Sequence, residues 1–108
     1  MGYYSDVALC VSEKVEIPEA TRSIMESIGF DPVATCAGCR LWIVESIKWY
    51  DSYPEIDHLN RWRRSLKDED YRLLMIGEDV HDYEEYGDFF DNPFGLGIER
   101  RFCYDVNP

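Results

Sequence analysis

The sequence predicts one small α+β domain in which a mixed or antiparallel sheet of about four strands carries two helices on one face. Three observations lead to this. Segments of period-two apolar alternation are interleaved with two segments whose apolar residues recur every three or four positions. A chain of 108 residues has the length of a single core. The composition, 45% hydrophobic and 15% aromatic, supplies enough apolar surface to offset the entropy of ordering the chain.

The first strand is read over residues 4–12, where Val7, Leu9 and Val11 share one face and Ala8 and Cys10 the other. A helix over about 18–28 follows from Pro18 in a first turn, the stripe Ala20, Ile24 and Ile28, and Gly29 as a stop. Residues 31–38 read as a loop, because they contain Pro32 and the turn Cys36-Ala37-Gly38-Cys39. The run from Leu41 to Tyr50, rich in β-branched and aromatic residues, reads as a central, interior strand. Its parity breaks between Trp42, Val44 and Ile47, Trp49, which predicts a bulge near Glu45-Ser46.

Ser52-Tyr53-Pro54-Glu55 has the spacing of a capping box with proline in the first turn, so a second helix is expected over about 53–67. Ile56, Leu59, Trp62 and Leu66 form its apolar stripe, leaving His58, Arg61, Arg64 and Lys67 toward solvent. Tyr71 to Ile76, ending at Gly77, reads as a third strand, and the alternation over 98–106 as a fourth. The resulting order β-α-β-α-β-β, with both helices on one face, points to a ferredoxin-like arrangement or a near relative.

Asp and Glu number 22 against 11 Lys and Arg, giving a net charge of -11. Such a chain repels phosphate backbones and anionic headgroups, so neither direct nucleic-acid binding nor membrane attachment is expected. A protein with a basic surface, including one that itself binds nucleic acid, is the expected partner, and a homodimer is compatible with the same charges. No basic leader precedes an apolar run, and no apolar run exceeds a few residues, so the expected location is cytoplasmic. There the four cysteines, Cys10, Cys36, Cys39 and Cys103, are expected as thiols or metal ligands.

Cys36-x-x-Cys39 is half of a zinc site, and Cys10 or Cys103 could add thiolates, so a small zinc-binding module organised by Cys36 and Cys39 is the alternative reading. A second Cys-x-x-Cys is missing, and buried apolar roles for Cys10 and Cys103 are the simpler assignment. A thioredoxin-like role is disfavoured because a strand, not a helix, follows the motif. His58 and His81 are the only histidines, and without a nucleophile elbow no enzyme and no cofactor are expected. His58 reads as a solvent-facing helix residue and His81 as a loop residue whose acidic neighbours favour its charged form. Asp82-x-Glu84-x-Tyr86-Gly87-Asp88 imitates half a calcium loop and then fails at Pro93, where a bidentate Glu belongs.

The most unusual stretch runs from Glu78 to Asp91, where seven carboxylates interleave with Tyr83, Tyr86, Phe89 and Phe90. A solvated loop is the simplest reading, yet exposing rings costs roughly 1.5 to 3 kcal/mol each relative to burial. The rings therefore either pack onto the core or anchor a partner. Aromatic anchors ringed by charges match the anatomy of a protein interface. The candidate partner-binding residues are Glu78, Asp79, Asp82, Tyr83, Glu84, Glu85, Tyr86, Asp88 and Phe90. Arg61, Arg63, Arg64 and Lys67 form a second, basic patch that could pair with this segment.

Met1-Gly2-Tyr3-Tyr4-Ser5-Asp6-Val7, Lys48-Trp49-Tyr50-Asp51-Ser52-Tyr53-Pro54 and Ile76-Gly77-Glu78-Asp79 together resemble a family of small uncharacterised proteins of tailed bacteriophages and prophages. The likeness spans most of the chain and rests on a strand, a helix start and a strand end, so it transfers no catalytic residue. It implies a phage origin and the host-cell cytoplasm. In size and charge the chain is similar to phage proteins that disable host defence complexes, anti-CRISPR proteins among them, some of which act as DNA mimics. The expected function is thus a non-enzymatic acidic inhibitor that binds a host protein.

Overall fold

The computed structural model describes residues 4–78, 82–98 and 102–106. In chain order its elements are β1 (Ser5–Val11), α1 (Glu19–Ser27), β2 (Asp31–Cys36), β3 (Cys39–Ile47), α2 (Pro54–Ser65), a 3-10 turn (Asp68–Asp70), β4 (Tyr71–Ile76), β5 (Tyr83–Tyr86), β6 (Gly97–Ile98) and β7 (Phe102–Cys103). The first five strands form one sheet in the order β2-β3-β1-β4-β5, antiparallel at every junction. Omitting β5, the element order β-α-β-β-α-β and the strand order β2-β3-β1-β4 are those of the split βαβ, or ferredoxin-like, arrangement. The protein is therefore an α+β fold whose main sheet has one strand more than its sequence predicts.

Both faces of the sheet are covered. Val7, Leu9 and Val11 of β1 join Val44, Tyr71, Leu73 and the helical residues Met25 and Leu59 in one cluster, so α1 and α2 lie on the same face. Ala8 and Cys10 join Leu41, Leu74, Phe94 and Leu96 in a second cluster, to which no helix contributes. The small residues on that side of β1 let the segment after β5 lie directly on the sheet. Phe94 is 1% exposed there.

That covering role corrects the expected fourth strand at 98–106. Residues 99–101 of that stretch lie outside the described residues; among the described ones 97–98 and 102–103 pair only with each other, as β6 and β7, and Asp105 N–H donates to the Phe94 carbonyl at 2.7 Å. An apolar sheet face without helices needs a lid, and this segment supplies it instead of lengthening the sheet.

A second correction concerns residues 31–38, which form edge strand β2 and a hairpin turn, not a loop. Proline is tolerated at an edge, where its missing N–H need not face a neighbour. The turn is the two residues Ala37 and Gly38, at φ 52° and 82°. Two successive positive φ values mark the primed hairpin turn whose twist matches that of the strands. β3 is interior as expected, although β1 holds the centre of the sheet. The expected bulge is present: Ser5 pairs with Ile47 and Val7 with Val44, leaving one extra residue on β3, and Ser46 sits at φ 54° with its N–H on Asp6 Oδ1 at 2.9 Å.

The helices start and face slightly differently from expectation. The α2 N-cap is Tyr53, with no side-chain cap hydrogen bond, so the Ser52–Glu55 capping box does not form. Pro54 excludes its predecessor from the helical region, and Tyr53 accordingly sits at ψ 129°, outside the helix. In α1 the buried residues are Thr21 and Met25, with Ile24 and Ile28 half-buried and Ala20 exposed, so the inward face is rotated by one position. In α2 the buried set is Ile56, Leu59, Asn60 and Arg63. His58 does not face solvent. It is half-buried between the helices, with Nε2 2.9 Å from the Thr21 hydroxyl.

Candidate functional site

The acidic segment is not a loop throughout. Tyr83–Tyr86 form β5, paired to β4 through Ile76–Tyr83, Met75–Glu84, Leu74–Glu85 and Leu73–Tyr86. Alternation along this short strand sorts its side chains. Tyr86 lies on the helix face, packed against the first core cluster, while Glu85 lies opposite Leu74 on the other. Gly87 then ends the strand at φ 83°, where a Cβ would run into the Tyr71 carbonyl.

The four rings of the segment divide evenly. Tyr86 and Phe89 pack onto the two core clusters, whereas Tyr83 is 57% and Phe90 66% exposed. Burial raises the Tyr86 pKa above its ordinary 10.0, and its hydroxyl, which donates to Glu84 Oε2 at 3.0 Å, adds to the shift. Phe90 lies against Arg72, whose guanidinium carbon is 4.7 Å from the ring centre, and Arg72 Nη2 holds Glu85 Oε1 at 3.1 Å. The Arg72 side chain is 9% exposed, so Glu85 neutralises a nearly buried charge.

The remaining predicted residues lie around this strand. Glu78 is exposed and accepts the Tyr4 N–H at 2.9 Å. Asp82 is exposed, and its carbonyl accepts the Gly77 N–H at 2.7 Å. Asp88 is exposed, and its N–H donates to the Asp68 carbonyl at 2.6 Å. Asp79 and His81 lie outside the described residues. Residues 83–86 are extended, which removes the curved backbone a calcium loop needs.

Sequence reasoning missed the support beneath β5. Arg63, assigned from sequence to an exposed basic patch, is buried: its guanidinium carbon stands 4.3 Å from the Tyr86 ring centre. Its Nη2 donates to Asn60 Oδ1 at 3.1 Å, and Asn60 Nδ2 donates in turn to Asp51 Oδ1 at 2.8 Å. The signal was present in the helical spacing, since Ile56, Asn60 and Arg63 share one stripe. Arg61 instead pairs with Asp57 on the outer surface of α2, while Arg64 and Lys67 are exposed.

Cys36 and Cys39 face one another across the β2–β3 hairpin, and Cys39 and Cys10 belong to the same apolar cluster. Burial pushes the Cys10 thiol from 9.0 up to about 12, which opposes the thiolate form that a metal requires. Among the described residues no three of His, Cys, Asp and Glu come together as a metal-binding group. The Thr21–His58 contact has the make-up of a nucleophile and base, but Thr21 is 1% exposed, and the pair braces the two helices. Among the described residues no helix is long and apolar enough to cross a membrane. Compared with protein-family models, curated proteins and solved structures, the chain matches none.

Proposed function

We propose that this is a non-enzymatic, phage-encoded acidic binding protein that inhibits a host defence protein or complex in the manner of anti-CRISPR proteins. Its contact is the β5 edge and the turn that follows. The observation that carries this reading is the pair of exposed rings, Tyr83 and Phe90, set among Glu78, Asp82, Glu84, Asp88 and Asp91 at the outer edge of the sheet. Rings at the centre of a contact exclude water, and surrounding carboxylates steer encounter with a basic surface, such as a groove for nucleic acid.

Kinetics with a partner captured from host lysate test the proposal. Reversing Glu84 and Asp88 to Lys changes two charges outside the core clusters, so the fold survives, whereas association slows and loses much of its salt dependence. Glu85 is left intact, because Glu85→Lys would set a second cation against Arg72. Phe90→Ala, in contrast, accelerates dissociation, with a cost of about 2 kcal/mol if the ring is a buried anchor. Unchanged association rate and salt dependence in the charge-reversed protein would transfer attention to the α2 surface around Arg61 and Arg64.

A further inference from the structure

The two edges of the main sheet are built differently. β2 carries Pro32, which has no N–H to offer, and its pairing shifts register between Pro32 and Ala34. Both features blunt an edge against a further strand. β5 has neither: it contains no proline, and its four pairs with β4 run in unbroken register. Among the described residues its outer side has no neighbouring strand.

The register states which peptide groups face outward. Gly77 N–H donates to the Asp82 carbonyl, which makes 77–82 a hydrogen-bonded pair. In an antiparallel ladder such pairs alternate, so Glu84 and Tyr86 bond toward β4 while the N–H and C=O groups of Tyr83 and Glu85 point away from it. That is the spacing with which an added strand forms its hydrogen bonds.

Charge selects the occupant. An antiparallel pairing of β5 with β5 of a second copy through these outward groups would set Tyr83 of each chain against Glu85 of the other and the two Glu84 residues against one another, and like charges directly opposed are destabilising. An extended segment bearing Lys or Arg meets the same carboxylates favourably. Glu84 and Glu85 lie on opposite faces of the strand, and because Glu85 is already paired with Arg72, the basic side chains of the added strand are matched on the face that carries Glu84.

We propose that β5 accepts an extended, lysine- or arginine-rich segment of the partner as a sixth strand, bonded through the main chain of Tyr83 and Glu85. This rests on the acidic edge being the contact and adds its mode, in which the partner supplies backbone as well as charge.

The probe is a heptapeptide alternating lysine and valine, and its analogue with the three central amides N-methylated, each titrated against the intact chain by calorimetry and amide hydrogen exchange. The unmodified peptide should bind and slow exchange at Tyr83 and Glu85. The methylated analogue, with equal charge but no central donors, should bind about tenfold more weakly or worse. Equal binding of both peptides, still lost on reversing Glu84 and Asp88, overturns strand addition and leaves the acidic contact standing. Failure of the unmodified peptide to bind overturns the proposal, as does protection of the Tyr83 and Glu85 amides that grows with protein concentration when no peptide is present.

Discussion

Cys10 carries the clearest consequence at the scale of single residues. Its thiol is fully buried and shifted up to about 12 by that burial, from 9.0. Between pH 9 and 12 the unfolded chain therefore gives up a proton that the folded chain retains. Stability falls as pH rises across that window, by about 4 kcal/mol at its upper end for this group. Cys10→Ala should flatten the alkaline limb of a plot of stability against pH, and chemical denaturation of both proteins at several pH values between 9 and 12 measures the difference. Equal slopes would mean that the thiol ionises without exposure. Single residues were also the least legible level of the sequence. Arg63 and His58 read as surface residues because charge and imidazole usually stay wet, yet each is drawn inward by a partner distant in sequence, Tyr86 and Thr21 respectively.

At the scale of elements, turn chemistry decides what the strands and helices do. Ser52→Ala should leave the melting temperature nearly unchanged, because Tyr53 holds the cap position and no Ser52 side-chain bond closes the helix end. Gly87→Ala should be severe, costing more than about 2 kcal/mol, since it combines a positive φ with a collision against backbone. Thermal melts of the two variants beside the parent test both. β1 was legible through its period-two alternation, β3 through its β-branched and aromatic residues and β4 as a short apolar run ending at Gly77, and the β3 bulge showed itself as a parity break. β2 was hidden by Pro32, which reads as a breaker unless the strand is known to be an edge. β5 was hidden by its carboxylates, whose low strand propensity is overcome by the open ladder of β4. The candidate site was thus located in the sequence as a stretch of residues, but its being a sheet edge depends on a pairing that composition does not reveal.

At the scale of the whole molecule, the net charge of -11 works against compactness. Arg61–Asp57 and Arg72–Glu85 are ion pairs, but 11 Lys and Arg cannot compensate 22 Asp and Glu, so repulsion among the carboxylates dominates. Added sodium chloride should therefore raise the melting temperature between about 10 and 150 mM, as the Debye length contracts from roughly 30 to 8 Å. A scan of melting temperature against salt that is flat or falling would show that local ion pairs outweigh the general repulsion. The segment that lies over Ala8, Cys10, Leu41 and Leu74 bears on how such a chain is made. A ribosome that has delivered everything through β5 has released both helices and the whole main sheet, but Phe94 and Leu96, which seal the other side of that sheet, are still to come. Until they emerge, the nascent chain offers an oily plane beside an unfinished edge, the combination that recruits chaperones and invites aggregation. Folding of this domain is accordingly completed only once Phe94 and Leu96 have emerged, and the exit of these lid residues, more than the pairing of the strands, sets the moment at which the oily plane is closed.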